Sequence, residues 1–220
     1  MLPVNGYPIF QSQIERLKHI GIPVFIATTN QPADISVVNF AEKNNIPYFR
    51  GDENNVLSRY YECAKKYELD VVIRLTSDCP LIDSLIIKKA LDEYLVKSDQ
   101  HLYLSNSIIR TYPRGFDFEI FSFYLLEDAF KNAKEHAELE HVTPYITANK
   151  SRVVNIEQLA STEDASKFRL TLDTPEDFVL LKRLIEQYRA DSLTGEEIIM
   201  LMQQYPDLAE INQHVEQKKN

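Results

Sequence analysis

Asp70-Val71-Val72-Ile73-Arg74-Leu75-Thr76-Ser77-Asp78 is the stretch that decides the fold. A short β-branched run of this kind, bounded by polar residues, reads as a strand buried on both faces, the type that parallel sheets use. Strand and helix patterns alternate around it. Toward the N-terminus, residues 8–20 predict a helix with Ile9, Ile14 and Leu17 on one face, ended by Gly21. Residues 23–28 predict a buried strand, 34–45 a helix, 46–49 a strand and 55–67 a helix. Beyond the quoted stretch, Asp83 or Ser84 caps a helix that runs through Lys97. Strand then helix, three times over, predicts an α/β fold: a mostly parallel sheet with flanking crossover helices, Rossmann-like in character. Ligands of such sheets sit at the carboxyl ends of the strands, where Ser77 and Asp78 stand.

Past residue 100 the pattern loosens. Residues 101–105 predict a strand, 111–115 a loop, and 116–120 alternate like a strand. A helix is expected from Ser122 or Phe123 to about Glu135, and another over 138–149 with Pro144 early in it. Residues 151–156 read as a strand, 158–167 as a loop, and 168–172 as a strand closed by Asp173-Thr174-Pro175. Pro175 suits the first turn of a helix reaching about Tyr188. Thr194-Gly195-Glu196-Glu197 is a capping box for a helix to Gln204, and 207–218 is amphipathic. This organisation predicts one domain over 1–189 and an appended helical tail over 190–220 whose last residues fray.

Composition narrows the function. The formal net charge of −9 argues against nucleic acid as a partner. No run approaches the roughly 18–20 apolar residues of a membrane span, and residues 1–6 lack the pattern of a signal peptide, so the expected compartment is the cytoplasm and no membrane is involved. Cys63 and Cys79 form neither a disulfide framework nor a metal-ligand spacing. GxSxG, HExxH, CxxC and Walker A patterns are all lacking.

Several groups carry chemistry, each with a plainer reading beside it. Asp78, at a strand end, would hold Mg²⁺ against phosphate oxygens, or is a turn residue before Cys79-Pro80. Asp173 likewise follows a strand; it is a second hard oxygen ligand or a cap for the helix of Pro175. In Arg50-Gly51-Asp52 through Arg59, a glycine-containing turn lets backbone N–H groups approach a ligand, and both arginines are candidate sugar or phosphate contacts; the alternative is an ordinary loop. In Tyr112-Pro113-Arg114-Gly115-Phe116-Asp117-Phe118-Glu119, Arg114 could hold a carboxylate in bidentate fashion, with Asp117 and Glu119 on one face, or the segment is a hairpin with a polar outer side. His141 orients a ligand or makes a structural hydrogen bond.

The runs FRGDENNVLSRYYECAKKY, VVIRLTSDCPLID, YPRGFDFEIFS, EHVTPYI and LTLDTPEDF resemble the spore coat polysaccharide biosynthesis protein F group, related to CMP-KDO synthetase and acylneuraminate cytidylyltransferase. The resemblance covers nearly the whole chain. It implies a nucleotide-diphospho-sugar transferase fold and transfer of CMP from CTP to an acidic sugar, with pyrophosphate released. It implies Mg²⁺ on Asp78 and Asp173 as the catalytic metal ligands. Nucleotide contacts would come from Arg50, Gly51, Asp52, Arg59 and Ser77, and substrate contacts from Arg114, Asp117, Glu119 and His141. Residues 106–150 become a sugar-binding and dimerisation subregion of a homodimer. The family pattern also begins with a strand and a phosphate loop of the type QARxxSxRLPGK, whereas residues 1–8 match the positions just after that loop. The expectation is a form of the fold lacking that strand and loop, which binds CTP poorly and turns over little. Two rival readings are a glycosyltransferase of the related GT-A fold, for which Asp117-Phe118-Glu119 is a loose DxD match, and a non-catalytic sugar-binding or dimerisation module.

Overall fold

The computed structural model describes residues 2–216. Two short strands, β1 (Pro3–Val4) and β2 (Tyr7–Pro8), pair antiparallel. They lead into α1 (Ile9–Leu17), which a 3₁₀ turn at Lys18–Ile20 prolongs. Gly21 stops it in the left-handed region at φ 81°, and Ile9, Ile14 and Leu17 are buried as their spacing requires. β3 (Ile26–Thr29) and β4 (Tyr48–Gly51) form a parallel pair linked through α2 (Ile35–Lys43). Asn55 caps α3 (Val56–Lys66) by accepting from the Ser58 N–H at 2.8 Å. β5 (Val71–Arg74) follows, and then α4 (Ser84–Lys97), capped by Asp83 as expected.

β6 (Leu102–Ser105) and β7 (Glu119–Ser122) precede α5 (Phe123–Asn132), α6 (His136–His141), α7 (Pro144–Thr147) and β8 (Asn155–Gln158). The chain closes with α8 (Pro175–Tyr188), α9 (Gly195–Gln204) and α10 (Pro206–Glu210). β5, β7, β6 and β8 lie in that order in one mixed sheet, with β7 antiparallel to both neighbours and β8 parallel to β6.

A single parallel sheet through β3, β4 and β5 is therefore corrected. β3 and β4 form their own sheet, and β5 pairs with β7, Val72 opposite Phe121. Helix α3 unites the two. It packs on β3 and β4, while its Leu57, Tyr61 and Ala64 share a buried cluster with Val72 and Phe121.

Three further expectations change. The helix over 138–149 is two short helices. Pro144 has no N–H to give the Glu140 carbonyl, four residues back, and Val142 takes φ 72° in a tight turn closed by Thr143 N–H on the His141 carbonyl at 2.8 Å. The segment 168–172 is extended but forms only one bridge, Arg169 beside Arg114. The tail is part of the main core: Ile198, Met202 and Leu208 are buried in it, and the Arg16 guanidinium donates to the carbonyls of Ala190, Asp191 and Leu193. Of the amphipathic helix expected over 207–218, only α10, which ends at Glu210, is helical among the described residues, and the fraying expected of the last residues lies outside the described chain.

Candidate active site

Asp78 stands just past the end of β5, where the chain leaves the strand through Leu75, Thr76 and Ser77. Two donors from the segment 168–172 fix it. Leu172 N–H reaches its carbonyl at 2.8 Å, and Thr171 Oγ1 donates to Oδ2 at 3.0 Å. Thr171 and Arg169 share one side of that segment, opposite buried Phe168 and Leu170. Asp173 comes next, exposed, its Oδ2 held by Arg169 Nη2 at 2.6 Å. The two acidic turns are thus joined through Arg169, Thr171 and Leu172 of one extended segment.

Arg169 is fixed from behind. Asp177, fully buried, accepts from Arg169 Nε and Nη2, both at 2.9 Å, and from Asn212 Nδ2 at 2.7 Å. It also accepts from the backbone N–H groups of Asp173 and Thr174 at 3.0 Å, closing the capping box of α8. Burial alone would raise the Asp177 pKa, but the bonds from Arg169 and Asn212 outweigh it and hold the carboxyl below its ordinary value. Sequence reasoning assigned no site role to Asp177 and missed Arg169. The signal was the spacing: Arg169, Asp173 and Asp177 recur every four residues around a Pro-led helix start.

Gly115 makes this contact possible. At φ 98°, a Cβ there would lie 2.5 Å from the Leu170 carbonyl group and 2.8 Å from Thr171 N. Its neighbour Arg114 can therefore exchange backbone bonds with Phe168 (3.0 Å) and Leu170 (2.7 Å). Gly115→Ala is expected to lower stability by about 2 kcal/mol or more, from left-handed strain plus a clash with backbone. Thermal melting checks this; an unchanged midpoint would contradict it.

The other expected residues divide into three groups. Asp117 lies near Cys79 and is bound by Arg110 at 2.5 Å. The Arg50–Arg59 loop is tied to the end of β3 and to itself: Arg50 donates to the carbonyls of Thr29 and Gln31, and Arg59 to that of Asp52. Gly51 packs tightly on Arg59. The next residue, Tyr60, donates to the Leu75 carbonyl at 2.9 Å, so the first turn of α3 links the Arg50–Asp52 loop with the strand end that carries Ser77 and Asp78. Glu119 departs from its expected role. It is buried, and its oxygens accept from Tyr103 and Thr143 (each 2.5 Å) and pair with Arg74, so it is a strut between β5, β7 and the Val142 turn. His141 precedes that turn, half-buried, with only its backbone carbonyl engaged there.

Cys79 sits next to Asp78, but burial, with Asp78 and Asp117 near, pushes its thiol well above the ordinary range, so it is no nucleophile at neutral pH. Among the described residues no three His, Cys, Asp or Glu side chains form a closed metal cage. Asp78 and Asp173 do fit a hard divalent cation of the Mg²⁺ kind. Such an ion needs only one or two carboxylates and takes its remaining ligands from water and phosphate. No helix among the described residues is long and apolar enough to cross a membrane.

Comparison with known proteins bears on the family and the fold. A cytidylyltransferase from Leptospira borgpetersenii serovar Hardjo-bovis superposes with a TM-score of 0.89 at 32% identity, over 99% of this chain and 91% of that one. Spore coat polysaccharide biosynthesis protein SpsF of Bacillus subtilis is 29% identical over 188 residues, 84% of this chain and 76% of that protein. A CMP:2-keto-3-deoxy-manno-octonic acid synthetase solved with CTP shares the fold, with a TM-score of 0.61 at 16% identity over 85% of this chain and 91% of that one. The α/β architecture is that of the nucleotide-diphospho-sugar transferases. The cytidylyltransferase family model matches residues 1–212, so the chain that clamps Asp78 against Thr171 and Asp173 against Arg169 belongs to the cytidylyltransferases, a family of nucleotidyltransferases.

Proposed function

We propose that this protein transfers CMP from CTP to an acidic sugar, with release of pyrophosphate, in the assembly of a surface polysaccharide. The observation that carries the reading is the clamp between the acidic turns: Leu172 and Thr171 hold Asp78 while Arg169 holds Asp173. In this reaction a sugar hydroxyl attacks the α-phosphorus in line, the P–O bond to pyrophosphate breaks, and the hydroxyl proton is lost to solvent or a phosphate oxygen. No covalent intermediate with the protein is needed. Asp78 and Asp173 would hold Mg²⁺, which supplies charge neutralisation on the phosphate oxygens. The protein's own work is positioning. Ser77 and the Arg50–Asp52 loop flank the nucleotide, and Arg114 and Asp117 face the acceptor.

Turnover is slow in this reading. The two loop arginines already give N–H bonds to backbone carbonyls, and these compete with contact to the triphosphate. We place the protein in the cytoplasm, where its two buried free thiols stay reduced, and as a homodimer through the 106–150 region, where Ile108 and Ile109 are exposed.

The test is pyrophosphate release from CTP and Mg²⁺ against a panel of acidic and neutral sugars. Release with an acidic sugar only is the expected result. Binding of a pre-formed nucleotide sugar without pyrophosphate would point to a glycosyltransferase. Tight self-association with neither would point to an interaction module.

A further inference from the structure

Helix α1 buries two polar side chains among its apolar ones, and both reach the chain that carries Asp78. Gln13, only 3% exposed, shares the buried side of the helix with Ile9 and Leu17, and its Nε2 donates to the Thr76 carbonyl at 2.7 Å. Arg16 Nε donates to the Ile82 carbonyl at 2.6 Å. One helix thus holds both ends of the loop 76–82. An apolar side chain would fill the position of Gln13 without the cost of burying an amide, so what this residue adds is its bond to Thr76.

A second helix holds the carbonyl before it. Tyr60 of α3 donates its hydroxyl to the Leu75 carbonyl at 2.9 Å. Its ring lies under the Arg74 guanidinium, 5.8 Å from the ring centre, and Arg74 is paired with Glu119. The Asp78 carbonyl is held by Leu172 N–H at 2.8 Å. From Leu75 to Asp78, the carbonyls of Leu75, Thr76 and Asp78 are therefore tied to α3, to α1 and to the segment 168–172 respectively.

These bonds decide where the N–H groups point. The peptides here are trans, and the carbonyl and N–H of a planar trans peptide point in opposite directions. With the Thr76 carbonyl drawn onto Gln13, the Ser77 N–H is turned away from α1. Ser77 is exposed, and its N–H meets no acceptor among the described residues. The bond from Tyr60 fixes the preceding peptide in the same way.

We propose that Gln13 and Tyr60 are positioning residues for nucleotide binding. They hold the 75–78 turn so that the Ser77 N–H is presented to an acceptor atom of the nucleotide, and neither side chain touches the ligand. The link to the nucleotide rests on the transfer reading above; the holding of the turn does not. Gln13 acts on the peptide that carries the donor and Tyr60 on the one before it, so Gln13 has the larger effect.

The experiment joins backbone NMR relaxation to calorimetric titration of CTP in the presence of chelator, on the unsubstituted full chain, Gln13→Met and Tyr60→Phe. Each substitution nearly keeps the size of the side chain and removes a donor. In Gln13→Met the order parameters at Ser77 and Asp78 should fall from a rigid value of about 0.85 toward about 0.6, and in Tyr60→Phe by less. CTP should bind about 10-fold more weakly in Gln13→Met and about 3-fold more weakly in Tyr60→Phe. A purely structural role would lower the melting temperature and leave the turn's order parameters and CTP affinity, both measured well below the transition, as they are in the parent. Unchanged CTP affinity in both variants would overturn the proposal, whatever the melting temperature does. Failure of the unsubstituted chain to bind CTP, with the order parameters falling as expected, would overturn the transfer reading and with it the nucleotide half of the proposal, and not the holding of the turn.

Discussion

Asp78→Asn and Asp173→Asn should each cut pyrophosphate release from CTP by roughly 100-fold or more relative to the unsubstituted chain. Each carboxylate keeps its bonded neighbours, Thr171 for one and Arg169 for the other, so the fold has no need of the full negative charge at either position. Asparagine retains the size and one acceptor oxygen. What disappears is the hard anionic ligand that holds a divalent cation against phosphate. The loss should fall on the rate, with the melting temperature shifted by only a few degrees. Two variants with full rates would remove the acidic turns from the chemistry. Steady-state kinetics with a coupled pyrophosphate assay, beside thermal melting, separates the outcomes.

Asp177→Ala should be the most destabilising single change at the site, by about 3–5 kcal/mol, or roughly 10 °C in melting temperature. Asp177 is fully buried and gathers bonds from Arg169, Asn212 and the N–H groups of Asp173 and Thr174. Truncation leaves the buried Arg169 without this counter-charge and opens the first turn of α8. Replacing both partners, Arg169→Met with Asp177→Leu, should cost less than Asp177→Ala alone, because no uncompensated charge is left behind. The same carboxyl fixes a pH dependence. Its folded pKa is depressed below the unfolded value of about 3.9, so its contribution is complete above that value and is lost as pH falls through the folded pKa. Acid unfolding of the parent chain should therefore be steeper below about pH 4 than that of the double variant. Superimposable acid transitions would contradict the assignment.

Capping chemistry made much of the fold legible. Asp83 before α4 and Thr194 with Glu197 at α9 stand where side-chain oxygens were expected to meet free N–H groups, whereas at α8 the cap is Thr174 with Asp177 and not Asp173. These signals are local, so they survive without knowledge of the rest of the molecule. Strand partners are not local. The Val71–Arg74 run gives no sign that its neighbour is Glu119–Ser122, antiparallel, and not an earlier strand. The turn at Val142 depends on burial and on Thr143 reaching Glu119, neither of which periodicity reports.

At the site, Asp78 and Asp173 were legible as strand-end carboxylates, but what couples them was not. Arg169, Thr171 and Leu172 read only as residues of a strand. Glu119 was misread for the opposite reason: an acidic residue in a polar-looking alternation proves to be enclosed by Arg74, Tyr103 and Thr143. The tail was legible as helices but not as core, because burial of Met202 and Leu208 depends on surfaces far away in sequence.

The Mg²⁺ dependence of CTP binding tests the pairing of the two acidic turns most directly. Titrating CTP into the unsubstituted chain with Mg²⁺ and with chelator should give tighter binding with the ion. The increment should vanish in the Asp78→Asn, Asp173→Asn double variant, while binding in chelator is unchanged. An Mg²⁺-dependent increment that persists in the double variant would contradict the claim that the two acidic turns form one metal-bearing site.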